Sequence, residues 1–227
     1  MRYHQGLMSF RRVFSSSVGT KLLIGFTGLL LFVFLIAHLA GNLTVFGGQE
    51  MFNHYSASLA ASPLVIPAEI ALLILFLVHV YKTVTMWTAN QRARTVGYQK
   101  KTWAGYTSRK SIASTTMIWS GIVTFGFVIL HLAQMKFGAW YQLGDPAVRD
   151  LYRTEVEVFS SPLWVAVYVV CMMLIGLHLR HGISSAFQSI GADHPVYTKR
   201  LVLLGTVLAI LISGGFAIIP LWVYFTR

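Results

Sequence analysis

The sequence predicts an all-α protein, an integral membrane bundle of five transmembrane helices with its N-terminus in the cytoplasm. Three observations predict it. Hydrophobic residues make up 56% of the 227 positions and charged ones only 11%, against about a quarter charged in an ordinary soluble domain. A chain of this size cannot bury that much apolar side chain within itself, so lipid must cover the rest. The apolar residues also gather into five stretches, each long enough for the roughly 20-residue helix that crosses a bilayer. Finally, lysine and arginine recur on one side of the resulting threading, as cytoplasmic segments require.

The first span is read at 22–46. Arg2, Arg11 and Arg12 precede it and small residues follow, an arrangement that imitates a signal peptide. The run is too long for a signal core and contains His38, so it reads as a retained helix. The acid-free tail, with its serines and arginines, leaves a mitochondrial transit peptide as a second reading. The remaining spans are read at 63–87, 112–136, 162–187 and 201–225. Backbone groups in lipid must hydrogen-bond internally, so all five are helices. Short connections make consecutive helices antiparallel neighbours. No connection is large enough for a soluble catalytic domain, and no internal repeat stands out. Residues 1–227 therefore form one domain. Trp87, Trp140, Trp164, Trp222 and Tyr224 lie near helix ends and read as an interfacial belt.

The charges set the orientation. Arg2, Arg11, Arg12 and Lys21 precede the first span. Arg92, Arg94, Lys100, Lys101, Arg109 and Lys110 follow the second, and Lys199 and Arg200 follow the fourth. All lie on one side. The other side carries Arg149, Arg153 and Arg227, together with Glu50, Asp145, Asp150, Glu155 and Glu157. A multi-pass protein of the inner (cytoplasmic) membrane follows. The net charge of +11 is then a topology signal rather than a nucleic-acid surface. The single cysteine, Cys171, sits in an apolar run and cannot build a disulfide, an iron–sulfur cluster or a four-thiolate zinc site on its own.

Each of the first four spans holds a histidine well inside it: His38, His79, His131 and His178. One such residue could be a core group bonded to a neighbouring helix. Four of them, each costly in lipid, point to a shared interior task. His38 and His131 fall roughly 25 Å from the inner edge of a core about 30 Å thick, and His79 and His178 about 8 Å from it. The histidines thus form two layers of two, about 15 Å apart along the membrane normal. Two imidazoles from facing helices can fill both axial positions of one haem iron, which leaves electron transfer as its task. A zinc site would gather its ligands at one depth. The absence of CxxCH makes any haem non-covalent. Four metal ligands and two b haems are therefore expected. Gly41, Gly126, Gly176 and Gly182 lie beside the ligands and leave room either for a macrocycle or for close helix packing. Lys82, Arg180 and His181 lie toward the inner interface, where haem propionates would attract them. Cations snorkelling at the lipid surface, and His181 as a rival ligand, stay open beside that reading.

The chain resembles the cytochrome b subunit of succinate:quinone oxidoreductases, in the branch with a five-helix, two-haem membrane subunit. The resemblance rests on GTKLLIGFTGLLLFVFLIAHLAGNL at Gly19–Leu43, FNHYS at Phe52–Ser56 and GLHLRHGISSAFQSIG at Gly176–Gly191, and it covers essentially the whole chain. It implies a haem-bearing membrane anchor for a succinate dehydrogenase or fumarate reductase, which is not an enzyme by itself. The partners implied are a flavoprotein subunit and an iron–sulfur subunit on the cytoplasmic face, with quinone, menaquinone in most di-haem members, as membrane substrate. His79 and His178 would hold the proximal haem, His38 and His131 the distal one. Some members carry a glutamate shortly before the fourth-helix ligand; Gly176 stands there, so no proton route is carried over. Glu69 is the single carboxylate within a span and reads as an isolated acid exchanging protons with quinone, helped by Glu50, His54 or Tyr55. A protonated acid bonded to a neighbouring helix is the plainer reading. Two rivals remain: a b-type subunit of a formate dehydrogenase or hydrogenase, and a colourless transporter relaying protons through the histidines.

Overall fold

The computed structural model describes residues 16–94, 112–144, 148–192, 194 and 196–227. Helix α1 spans Ser17–Asn42 and tightens into a 3-10 segment at Leu43–Gly47. Its first turn is capped by the Ser16 hydroxyl, which accepts from the Gly19 N–H at 3.0 Å. Gly48, at φ 86°, turns the chain into a surface helix, α2, at Gln49–Ala60; the left-handed backbone there is one that glycine adopts freely. Helix α3 spans Val65–Arg92. A single turn at Ile112–Thr115 leads into α4, Met117–His131. That helix widens into a π turn at Leu132–Lys136. An antiparallel ribbon pairs β1, Gln142–Leu143, with β2, Val148–Arg149. A second surface helix, α5, follows at Leu151–Phe159, and α6 and α7 span Pro162–Ser189 and Thr198–Thr226.

Among the described residues five helices are long and apolar enough to cross a membrane, so the chain is an all-α bundle of the class its composition requires. Two of the five, the first and the last, extend past the predicted bounds at both ends. The first, for example, runs Ser17–Gly47, because Ser16 provides a cap outside the apolar run. The connections differ from simple turns: α2 and α5 fill two of them at one end of the bundle. That end carries the described acids, and the opposite end carries Lys21, Arg92, Arg94, Lys199 and Arg200; they are called the acidic and basic ends below. Arg2, Arg11, Arg12, Lys100, Lys101, Arg109, Lys110 and Asp145 lie outside the described residues.

Consecutive helices are not uniformly neighbours. The most extensive packing is of α6 on α7, then of α1 on α3 and on α6, and of α4 on α6, whereas α3 scarcely touches α4. The order around the bundle is therefore α3, α1, α6, α4, with α7 behind α6 and α1. Phe76 of α3 and Phe125 of α4 stack across the weak seam with centroids 5.8 Å apart. No residue of α3 is fully buried, which suits a helix whose surroundings are lipid.

The main buried cluster lies at the acidic end: Val45, Phe52, Tyr152, Phe159, Val165, Tyr168, Ile219 and Val223. A buried polar knot locks it. Asp150, 4% exposed, accepts from Gln49 Nε2 and Asn53 Nδ2 at 2.7 Å each and caps α5 through the Arg153 N–H at 3.1 Å. The Asn53 carbonyl oxygen in turn accepts from the Tyr152 N–H at 3.0 Å. These bonds give both Asp150 oxygens and the Asn53 amide partners, which lowers the cost of burying them, while the buried Tyr152 hydroxyl has no partner among the described residues.

Candidate functional site: two pairs of membrane histidines

Helical geometry places the four span histidines in two pairs. His38 of α1 and His131 of α4 face one another near the acidic end, ring centroids 5.8 Å apart and planes nearly perpendicular at 83°. His79 of α3 and His178 of α6 lie within electrostatic reach of each other nearer the basic end. All four are partly buried. Among the described residues no three metal-ligating side chains converge. The arrangement is one of pairs rather than of a cluster.

The pair nearer the basic end sits in hydrogen-bonded cradles. His79 Nδ1 lies 3.1 Å from the Thr27 hydroxyl of α1, and His178 Nδ1 lies 3.2 Å from the Ser120 hydroxyl of α4. Thr27 and Ser120 are themselves buried, at 3% and 5% exposure. The next residue on each helix is glycine, and each ring lies over it. A Cβ built on Gly28 would stand 3.2 Å from His79 Cε1, and one on Gly121 would stand 3.5 Å from His178 Cε1.

The pair nearer the acidic end is held by rings. Phe34 stacks on His38 with centroids 5.2 Å apart and 18° between planes, and Phe127 stacks on His131 at 5.7 Å and 23°. Phe216 of α7 tilts against His38 at 5.6 Å, and Tyr168 of α6 meets His131 edge-on at 6.2 Å. The Tyr168 hydroxyl donates to Gln134 Oε1 at 2.9 Å. His131 Nδ1 is buried and has no hydrogen-bond partner among the described residues. The Asn42 amide approaches His38 Nδ1 only at 3.4 Å and bonds better to the His38 carbonyl, at 2.8 Å. The π turn directly after His131 opens carbonyls that the Arg149 guanidinium satisfies, on Met135 at 2.8 Å and Lys136 at 3.0 Å. Such turns are frequent at functional sites.

These residues fit a haem. Two metal–imidazole bonds of about 2 Å, plus the ring radii, bring facing centroids to roughly 6 Å, close to the observed separation of His38 and His131. At the other pair the Nδ1 side of each ring is occupied, which leaves Nε2 as the nitrogen that would hold a metal. Along α1, Thr27 and His38 are 11 positions apart, as are Ser120 and His131 along α4. The two layers therefore lie about 16 Å apart by helical rise.

The other predicted residues fall as follows. Glu69 is not isolated: it forms an ion pair with Lys136 of the π turn, and the two side chains are 47% and 40% exposed. The sequence could not reveal this partner, because the π turn rotates Lys136 toward α3. Arg180 donates from Nε to the Thr206 hydroxyl of α7 at 3.3 Å, so it turns to the outside of the α6–α7 pair rather than toward Lys82 on α3. His181 is half-buried one turn below His178, while the cradled histidine is His178. Glu50, His54 and Tyr55 are exposed on α2, and the Tyr55 ring packs on Gly41. Of the four glycines beside the ligands, Gly126 opens on free space, whereas Gly176 and Gly182 are covered by Ser213 and Met117. Thr27, Ser120, Gly28 and Gly121 escaped the sequence reading; their signal was a hydroxyl–glycine step repeated at one spacing before a histidine. No family model, no curated protein and no solved structure matches the chain.

Proposed function

We propose that the chain is the haem-bearing membrane anchor of a succinate dehydrogenase or fumarate reductase complex. It passes electrons between an iron–sulfur subunit on the cytoplasmic face and membrane quinone, of the menaquinone class. The observation that carries this reading is the arrangement of four span histidines as two pairs at two depths, one in ring contact and the other within electrostatic reach. The alternation of basic and acidic ends supports a cytoplasmic N-terminus.

A bis-histidine haem b supplies one-electron transfer when bound, with no open iron site for oxygen chemistry. The chain's own residues do the rest. His79 and His178 hold one group, with Thr27 and Ser120 orienting their rings. His38 and His131 hold the other within a wall of Phe34, Phe127, Tyr168 and Phe216, which keeps water out. The two layers, about 16 Å apart by helical rise, would hold the two groups at different depths of the bilayer. Glu69 and Lys136, half-exposed at the acidic end, provide a proton-exchanging pair for quinone chemistry near the second group.

The test is a pyridine haemochrome assay with a dithionite-reduced spectrum on the purified chain or complex. Two haems b per polypeptide are expected. One haem or none sinks the reading, and a colourless protein favours a histidine-relay transporter.

A further inference from the structure

The inner cradles decide more than ring position: they decide which nitrogen of each histidine carries the proton. A hydroxyl has one proton to give. The Thr27 hydroxyl donates to the Leu23 carbonyl at 2.7 Å, and the Ser120 hydroxyl to the Met117 carbonyl at 3.0 Å. Each oxygen is then left facing its histidine with lone pairs only, so the Nδ1 opposite must bring the hydrogen. A second acceptor agrees. The Ile24 carbonyl also acts on the His79 ring, and the Met117 carbonyl on the His178 ring. A carbonyl can only accept, and in both cases it belongs to the residue three positions before the hydroxyl.

The same cradle occurs twice because the sequence is repeated. TGLLLFVFLIAHLA at Thr27–Ala40 and SGIVTFGFVILHLA at Ser120–Ala133 share Gly28/Gly121, Phe32/Phe125, Phe34/Phe127, Ile36/Ile129, His38/His131, Leu39/Leu132 and Ala40/Ala133. No repeat was expected from the sequence, because its period of 93 residues exceeds any single helix pair. In space its members coincide in role. The hydroxyl of each unit receives the histidine of the following membrane helix, the glycine lets that ring approach, and the fourth residue before the unit's own histidine stacks on it. Two copies of one device, in one frame, are difficult to attribute to incidental packing.

We infer that Thr27 and Ser120 are positioning residues that lock His79 and His178 as Nδ1–H tautomers, presenting both Nε2 lone pairs to a single metal centre. The inference rests on the haem reading for the identity of that centre, but not for the tautomer. A ligand whose far N–H is held by an acceptor is fixed in orientation and is a stronger base. Both effects favour the oxidised iron.

The test uses the full chain in the complex. Thr27→Val keeps the shape and removes the acceptor, Ser120→Ala removes the other, and Thr27→Ser restores the hydroxyl. Potentiometric titration followed optically should show the midpoint of one spectral component rising in Thr27→Val and in Ser120→Ala. That component should move further in the double variant and return in Thr27→Ser, with the second component unmoved. Haem affinity at that site should fall ~10–100-fold in the acceptor-free variants, the usual loss when a partner behind a ligand is removed. An unshifted midpoint, or shifts in two different components, overturns the inference. If the wild-type chain carries no haem, the functional reading fails instead. The tautomer is then read directly from imidazole nitrogen NMR of the histidine-labelled chain. Nδ1–H at His79 and His178 sustains the inference, and Nε2–H at either overturns it.

Discussion

The two histidine layers are built from the same repeat yet are held by different forces. Near the basic end, each ring has its Nδ1 within hydrogen-bond distance of a buried hydroxyl. Near the acidic end, each ring is fixed by a stacked phenylalanine four residues earlier, and His131 Nδ1 has no partner among the described residues. Hydrogen bonds specify a protonation state as well as a position, because donors and acceptors are not interchangeable. Stacking specifies only a plane. The first layer is thus prepared chemically for its ligand, and the second is prepared by shape. Their surroundings follow the same division. The hydrogen-bonded layer lies beside a smaller buried cluster of Phe32, Ile183 and Ile212, and the stacked layer leans on the main buried cluster and its Asp150–Asn53 knot.

The largest expected effect comes from removing one ligand from each layer. His79→Ala should delete one spectral component and leave the other largely intact, and His131→Ala should do the reverse. If the proposed ligation holds, truncation removes an axial ligand outright, so the loss should be close to complete rather than graded. Reduced-minus-oxidised spectra of both variants check it. Loss of the same component in both would erase the distinction between the layers.

Much of this was legible in the sequence, for physical reasons. A membrane helix must be long, apolar and internally bonded, so the five spans could be read directly. A histidine in such a span is conspicuous because it is costly there. Constant rise per residue then converted position into depth, and depth into two layers. What stayed hidden depends on rotation about the helix axis. Thr27 and Ser120 look like ordinary small residues of a membrane helix until α3 and α6 are packed against them. The π turn after His131 breaks the helical period, so nothing in the spacing places Lys136 beside Glu69 or Gln134 beside Tyr168. The polar knot joins residues about 100 positions apart, which local pattern cannot pair.

A second contrast should appear with pH. Glu155 of α5 is buried beside the stacked layer, within reach of Tyr168, and burial raises its carboxyl from an ordinary 4.5 to about 8. The folded protein therefore binds a proton that the unfolded chain releases above about pH 4.5. Stability from this group is fully present below that value, falls as pH rises toward 8, and is level beyond it. The slope is at most about 1.4 kcal/mol per pH unit. Thermal melts of each spectral component between pH 5 and 9 should show the His131 component weakening with pH more than the His79 component. Glu155→Gln should flatten that difference. Equal slopes in wild type and variant would show that the carboxyl is solvated and would remove this asymmetry.

The smallest structural effect is expected at Glu69. Its pair with Lys136 is half-exposed, and exposed ion pairs contribute about 0–1 kcal/mol, so Glu69→Gln should retain both haem components and melt nearly as wild type does. Its chemical effect is a separate matter. Quinone reduction and oxidation move protons with electrons, and the site needs a group that water can reach. Glu69 lies one turn from the start of α3, at the acidic end where the stacked layer lies. Glutamine keeps the size and the hydrogen bonding but cannot take up or release a proton. Succinate oxidation by an artificial dye bypasses the quinone, so it should be unchanged in Glu69→Gln while most quinone-linked turnover is lost. Loss of both activities would indicate failed assembly. Retention of both would remove Glu69 from the mechanism and shift attention to the basic end, where His181 lies half-buried one turn from His178. Quinone would then exchange electrons beside the hydrogen-bonded layer, and the stacked layer would no longer be the terminus of the path.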